Sequence, residues 1–322
     1  MDDLYVIAVD IGGTSYRVAL VDSSGAIIAR NAEPTNGHQS PEIGLKRLVD
    51  TIRRTSDCID FDQLKGVFIS AAGPLNPQKG ILLTPPSLPA WRNVQLKKVI
   101  EESLHLPVWV KNDADLAALG EKRFGAGRGC DRLIYITVST GIGGGIVLEN
   151  GILEAAEVSV AEIGHMVVDR NGPVCNCGGK GHLEPLASGT AIARIAAEGI
   201  RSGKPSSLQP KYESDPSMLT AALVVEAARS GDSLANEVLS RAGEYLGIAI
   251  TSLIHIFDPE VVIIGGGVSN ASDLILNPIR DAIEERIMPD FKGRSRIVQA
   301  ELGDNSGIMG AIALGLEKLA DS

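Results

Sequence analysis

The chain has 322 residues, 44% of them hydrophobic and 22% charged, with a formal net charge of −10; this is the composition of an ordinary globular protein long enough for two domains. The negative balance argues against nucleic acid or an anionic membrane as partner, because both need a positive face, and four cysteines do not make a disulfide framework. The acidic start Met1-Asp2-Asp3 does not look like a signal peptide, and apolar stretches such as 249–257 are too short to cross a bilayer, so the expected location is the cytoplasm.

In chain order, Tyr5-Val6-Ile7-Ala8-Val9 predicts a short buried strand, followed by the turn Asp10-Ile11-Gly12-Gly13-Thr14. The strand Arg17-Val18-Ala19-Leu20-Val21, the turn Ser23-Ser24-Gly25 and Ala26-Ile27-Ile28 complete a β-meander. A helix is expected over 41–56, a strand over 66–71 and a Pro-rich loop over 84–90. Val108-Trp109-Val110 is a strand leading to Asn112-Asp113, and 115–124 reads as a helix with Leu116, Leu119 and Arg123 at helical spacing. The layout then repeats: the run 133–138, the turn Ser139-Thr140-Gly141-Ile142-Gly143-Gly144-Gly145, an exit strand, and the hairpin dipeptide Asn150-Gly151. A helical region spans 218–257 with a break at Ser230-Gly231-Asp232. Asp258-Pro259 ends it and opens the strand Val261-Val262-Ile263-Ile264, which runs into Gly265-Gly266-Gly267.

Three glycine-rich turns, each directly after an apolar strand, point to a nucleotide held from several sides, because turns without side chains let backbone N–H groups close on phosphate oxygens. Any single triplet would more often be a plain tight turn; their coexistence carries the reading. A dinucleotide fold would need a helix opening on its glycines, and a P-loop would need Gly-Lys followed by Ser or Thr. The first two turns are followed by strands and no Gly-Lys-Ser/Thr occurs, so neither applies.

The duplicated strand–turn–strand layout, Asp10 to Thr14, and Gly265 to Gly267 resemble the actin-like ATPase superfamily, a two-domain α/β (ribonuclease H-like) fold. With Ala72-Gly73-Pro74, Asn112-Asp113, Glu162-Ile163-Gly164-His165 and Cys175-Asn176-Cys177-Gly178 through Glu184, the chain resembles over nearly its whole length the ROK family of sugar kinases and repressors, and within it the glucokinases. The resemblance implies a small domain over 1–113, a larger one over 114–304 carrying a zinc loop at 165–184, and a last helix within about 305–322 (310–319 at its core) that returns to the first domain. It implies ATP-dependent phosphorylation of a hexose bound in an inter-domain cleft, glucose giving glucose 6-phosphate, and, by analogy, a homodimer or higher homo-oligomer.

Residue roles follow from the same resemblance. Asp113 becomes the general base that takes the proton of the attacking hydroxyl; from spacing alone it reads equally as a helix cap, with Asp115 the better cap candidate. Asp10 would hold Mg²⁺ through water, its alternative being a turn-forming residue. Gly12, Gly13, Thr14, Thr140 and Gly141 would donate to the phosphates, and Gly265, Gly266 and Gly267 would pass close to the adenosine end. Gly73, Ser87, Asn112, Asp113, Glu162, His165 and Glu184 would form the sugar site; the plainer readings are solvated carboxylates for Glu162 and Glu184 and a buried, hydrogen-bonded His165.

His165, Cys175, Cys177 and His182 make a complete tetrahedral donor set for a structural Zn²⁺, although Cys-x-Cys alone could be two reduced surface thiols. The family carries a third cysteine where His182 stands. It also usually has glycine at Ser139, two glycines and an Ala-Gly pair where Ala155, Val158, Val160 and Ala161 stand, and asparagine at Ser87. These departures bear on which hexose is used, and an N-acetylated hexosamine, N-acetylmannosamine or N-acetylglucosamine, is the alternative substrate. A sugar-sensing repressor is a third reading; such repressors carry an N-terminal helix-turn-helix, and here the first strand already begins near Leu4. His255 is expected in the core, His38 and His105 on the surface, Cys58 and Cys130 as isolated thiols, and Glu284-Glu285-Arg286 on a solvated helix face.

Overall fold

The computed structural model describes residues 4–154 and 157–320. Met1-Asp2-Asp3 and Ala155 of the sequence reading lie outside the described residues. The chain divides into two compact units, one of Met1–Arg128, Asn150–Val160 and Asp304–Ser322, the other of Gly129–Glu149 and Ala161–Gly303.

In the first unit, β1 (Tyr5–Ile11), β2 (Ser15–Asp22) and β3 (Ile27–Pro34) form the antiparallel meander. β4 (Leu64–Ala71) then lies parallel to β1; a small ribbon of β5 (Leu75–Asn76) and β6 (Ile81–Leu82) follows, and β7 (Val108–Asn112) lies parallel to β4. The sheet order is β3-β2-β1-β4-β7. Alternation along the strands fixes two faces. Ile7, Val9 and Ile11 point with Val18 and Leu20 toward Leu48 and Ile52 of α1 (Pro41–Thr55) and Leu96 and Ile100 of α2 (Leu96–Leu104). Val6 and Ala8 point the other way, with Ala19, Val21 and Phe68, onto α3 (Asp113–Phe124) and α10 (Ser306–Ala320). β1 is therefore apolar on both faces, each fully buried aliphatic side chain contributing about 1.5–3 kcal/mol.

The sequence reading ends the first domain at 113. The compact unit instead runs on through α3 to Arg128 and takes in Asn150–Val160, which opens on the two-residue strand β10 (Gly151–Ile152). The reason is close packing of α3 on α10. A Cβ on Gly120 would stand 2.9 Å from the Gly310 nitrogen, and one on Gly310 would overlap the Leu116 carbonyl, so these two helices touch backbone to backbone where only glycine fits.

In the second unit, β8 (Leu133–Val138), β9 (Ile142–Leu148), β11 (Val261–Gly265) and β12 (Arg296–Gln299) lie in the order β9-β8-β11-β12. This repeats β2-β1-β4-β7 in order and direction: one antiparallel pair, then two parallel ones. β11 is buried throughout and has a parallel partner on each side. The helices are α4 (Glu184–Ala187), α5 (Gly189–Arg201), α6 (Gln209–Ser214), α7 (Ala221–Arg229), α8 (Ser233–Phe257) and α9 (Asp273–Arg286). Ser188, Thr220 and Asp232 cap α5, α7 and α8 with side-chain oxygens. Among the described residues no helix is long and apolar enough to cross a membrane.

His255 is a correction. It is half-exposed rather than a core residue: its Nε2 accepts from the Met288 N–H at 3.2 Å and its ring edges onto Phe291 at 5.1 Å. In the last turn of α8, Ile256 is 67% exposed. His38, His105 and Cys58 are exposed, whereas Cys130 is buried with the Arg296 guanidinium at 3.3 Å from its sulfur.

Candidate active site

Register places the first group of site residues. β1, β4 and β7 are parallel, and Ile11 pairs with Ala71, which pairs with Asn112. The turn at Gly12–Thr14, Gly73 and Asn112-Asp113 therefore all leave the sheet at its carboxyl edge, the position where open α/β sheets bind ligands. The Gly12 N–H donates to the Ser15 carbonyl at 3.0 Å, and the Thr35 hydroxyl donates to the Gly12 carbonyl at 2.7 Å. These bonds tie the turn down while Thr14 stays exposed. Ser87, expected with the sugar, lies against this turn: a Cβ on Gly13 would stand 2.8 Å from the Ser87 Cβ.

Asp10 is paired with Arg17, which donates to its Oδ2 at 2.5 Å. The two are opposite one another in the β1–β2 register. The same guanidinium donates to the Asp304 carbonyl at 2.6 Å and to the Asn305 side chain at 3.3 Å. The sequence reading did not include Arg17; the signal was available, because a tight turn centred near Gly13 sets residue 10 against residue 17.

β7 passes into α3 without a loop. Asn112 is the cap: its Oδ1 accepts the Ala114 N–H at 2.9 Å. Asp113 is the first residue of the helix and is exposed, with its Oδ1 also 2.9 Å from the Ala114 nitrogen. Asp115, expected as the better cap, is instead a buried first-turn residue, because the helix starts as soon as the strand ends.

The second unit brings together a second set. Gly265 pairs with Thr137 in the parallel β8–β11 register, so the 139–141 turn and the Gly265–Gly267 turn leave the sheet at the same edge. The Gly189 N–H donates to the Ser139 carbonyl at 2.7 Å, and the Thr190 hydroxyl to the Thr140 carbonyl at 2.8 Å. Gly266 has φ +79°, a left-handed conformation that glycine adopts without strain, and a Cβ there would run into the Val138 carbonyl. Gly267 has open space around it.

Glu184 is half-buried and accepts the Ile142 N–H at 3.0 Å, so it is not a solvated carboxylate. Glu162 is exposed on one side, yet the protein packed around the rest of it holds its carboxyl above the ordinary range; the Glu184 charge adds to this and His165 opposes it. His165 ends a single 3₁₀ turn, its N–H donating to the Glu162 carbonyl at 2.9 Å.

The donor atoms of His165, Cys175, Cys177 and His182 all lie within 4.8 Å of one another. Cys175 Sγ is 3.7 Å from His165 Nδ1, and Cys177 Sγ is 3.2 Å from His182 Nδ1. Ligands around a tetrahedral zinc stand about 3.5 Å apart, given Zn–S and Zn–N bonds of about 2.3 and 2.0 Å. The turn is closed by Gly178 N–H to the Cys175 carbonyl at 2.9 Å and Cys175 N–H to the Gly179 carbonyl at 2.7 Å.

The two repeated sheets with glycine-rich turns at their carboxyl edges define the class, a mixed α/β fold of the actin-like ATPase kind. The profile of the ROK family matches residues 6–318, and the chain belongs to the ROK family. It is 38% identical over 319 residues to the glucokinase of Thermotoga maritima, covering 99% of both chains. The crystal structure of a ROK family glucokinase from Streptomyces griseus in complex with glucose and AMPPNP superposes with a TM-score of 0.77 at 32% identity, over 96% of this chain and 98% of that one. The xylose repressor of Bacillus spizizenii is 30% identical over 98% of this chain and 78% of its own length.

Proposed function

We propose that this protein transfers the γ-phosphoryl group of ATP to glucose, giving glucose 6-phosphate and ADP. The observation that carries the reading is the carboxyl edge of the first sheet, where a glycine turn after β1, Gly73 after β4 and Asn112-Asp113 after β7 emerge from adjacent parallel strands. Asp113 takes the proton of the sugar hydroxyl as that oxygen bonds to the γ-phosphorus, and the bond from phosphorus to the β-phosphate bridging oxygen breaks to release ADP. Its placement at the start of α3, set by the Asn112 cap, supports this role.

In this reading the residues assigned to the nucleotide are Gly12, Gly13, Thr14, Thr140, Gly141 and Gly265–Gly267. Asp10 has one carboxylate oxygen committed to Arg17, which suits a Mg²⁺ ligand acting through water. The residues assigned to the hexose are Gly73, Asn112, Asp113, Glu162, His165 and Glu184, with Ser87 beside Gly13. His165, Cys175, Cys177 and His182 fit a structural zinc. The contact of His165 Nδ1 with Cys175 leaves Nε2 for another partner.

A coupled assay of ADP release across glucose, mannose, N-acetylglucosamine and N-acetylmannosamine tests the proposal. Glucose should give the highest kcat/KM. Preference for an acetylated sugar would move the assignment to a hexosamine kinase, and ADP release with none of the four would reject the kinase reading.

A further inference from the structure

Ser159 has no assigned role, and its surroundings are unusual. Its Oγ is buried and has no hydrogen-bond partner among the described residues, a state that is costly unless a ligand completes it. It faces the bare side of Gly73. A Cβ built on Gly73 would stand 2.8 Å from Asn112 Nδ2 and 3.8 Å from Ser159 Oγ. The missing side chain thus leaves a slot bordered by the Asn112 amide nitrogen, the Ser159 hydroxyl and the Leu75 backbone nitrogen.

The chemistry of the slot is fixed by what Asn112 already does. Its Oδ1 is taken by the Ala114 N–H at 2.9 Å, so the amide cannot flip without losing the helix cap. Nδ2 is therefore presented as a donor. Ser159 can accept as well as donate. A donor and an acceptor across one slot complement a single alcohol, which accepts from Nδ2 and donates to Oγ. A deoxy carbon would leave both walls unpaired. Asp113 follows Asn112 directly, so such an alcohol belongs to the same sugar whose neighbouring hydroxyl is to be phosphorylated. All of these residues lie in the first unit.

We infer that Ser159 is a specificity-determining residue of the sugar site, hydrogen-bonding through Oγ to one ring hydroxyl of the hexose that Asn112 Nδ2 also contacts. The inference rests on the assignment of Asn112 and Asp113 to a hexose site.

The test is a comparison of wild-type protein with S159A by titration calorimetry, using glucose and its 2-, 3- and 4-deoxy analogues, alongside KM for MgATP and Tm. S159A should weaken glucose binding about 10–100-fold with KM for MgATP and Tm unchanged. For one deoxy analogue alone, the penalty relative to glucose seen with wild type should shrink in S159A, since only the Asn112 contact to that hydroxyl remains. Unchanged glucose affinity overturns the inference. So does weakening of glucose and all three analogues by one common factor, or a loss shared with MgATP and accompanied by a lower Tm. Wild-type protein that binds glucose but transfers no phosphoryl group would sink the kinase reading and leave this inference standing on its binding ratios; protein that binds no hexose overturns both.

Discussion

Asn112 and Asp113 divide two tasks that sequence alone runs together. Both residue types are good caps, and a third candidate stands at Asp115, so spacing does not say which one closes the helix. The register says it: the strand ends at Asn112, the amide caps, and the next carboxylate is left exposed. Asp113→Ala should therefore lower kcat by about 10²–10⁴-fold with the far-ultraviolet circular dichroism little changed; turnover at the wild-type level would remove Asp113 as the base. Arg17 holds one oxygen of Asp10, so on the proposed role of Asp10 it is a positioning residue. Arg17→Met should raise KM for MgATP about tenfold while KM for glucose holds, measured at fixed high concentration of the other substrate. An equal rise in both would mean that the variant only loosens the β1–β2 hairpin. The glycine turns and Asp10 were legible because strand, turn and strand are written contiguously. Arg17, Thr35 and Ser159 were not, since each reaches its place through pairing or folding over many residues.

Long elements with punctuated ends were readable. The helical region 218–257 and its break appear as α7 and α8, separated at Ser230-Gly231-Asp232 where Gly231 has φ +89°. β12 gave little signal because it is a four-residue edge strand in which only Ile297 is buried. Asp232 joins several segments. It caps α8 by accepting the Ala235 N–H at 2.9 Å, and it accepts the Ser207 N–H at 2.6 Å and the hydroxyls of Ser206 and Ser207 at 2.8 Å. Burial works against its charge, but these hydrogen bonds prevail and bring its pKa from 3.8 down to about 2. A depressed carboxyl pKa stabilises the fold above the unfolded value and loses that contribution as pH falls toward the folded one. Asp232→Ala should cost about 1–2 kcal/mol at pH 7, and the gap to wild type in urea unfolding should narrow between pH 3.8 and about 2; a gap independent of pH would reject the charge as its source. The loop 165–184 makes its own prediction. Protein purified without chelator should carry about one zinc per chain, and removing the metal should weaken hexose binding through His165 before it lowers global stability. Absence of zinc in such protein would reject the site.

At the scale of the molecule, a net charge of −10 opposes the approach of a nucleotide anion, and the proposed donors are backbone N–H groups rather than a cationic patch. Screening weakens long-range repulsion and leaves short hydrogen bonds nearly untouched. KM for MgATP should therefore stay level or fall as NaCl is raised from about 20 to 200 mM; a steep rise would point to lysine or arginine contacts missing from the assignment. The repeated strand order was visible as a duplicated layout, but the extent of the first unit was not, since it is gathered from three separated stretches. That gathering bears on biosynthesis. Val6, Ala8, Ala19, Val21 and Phe68 find their cover in Ile308, Ala311 and Ile312, which are translated some 240 residues after the last of them. On a ribosome-bound nascent chain the part of that greasy surface that α3 does not cover stays bare until translation is nearly finished, so emerging polypeptides should be clients for a hydrophobe-binding chaperone.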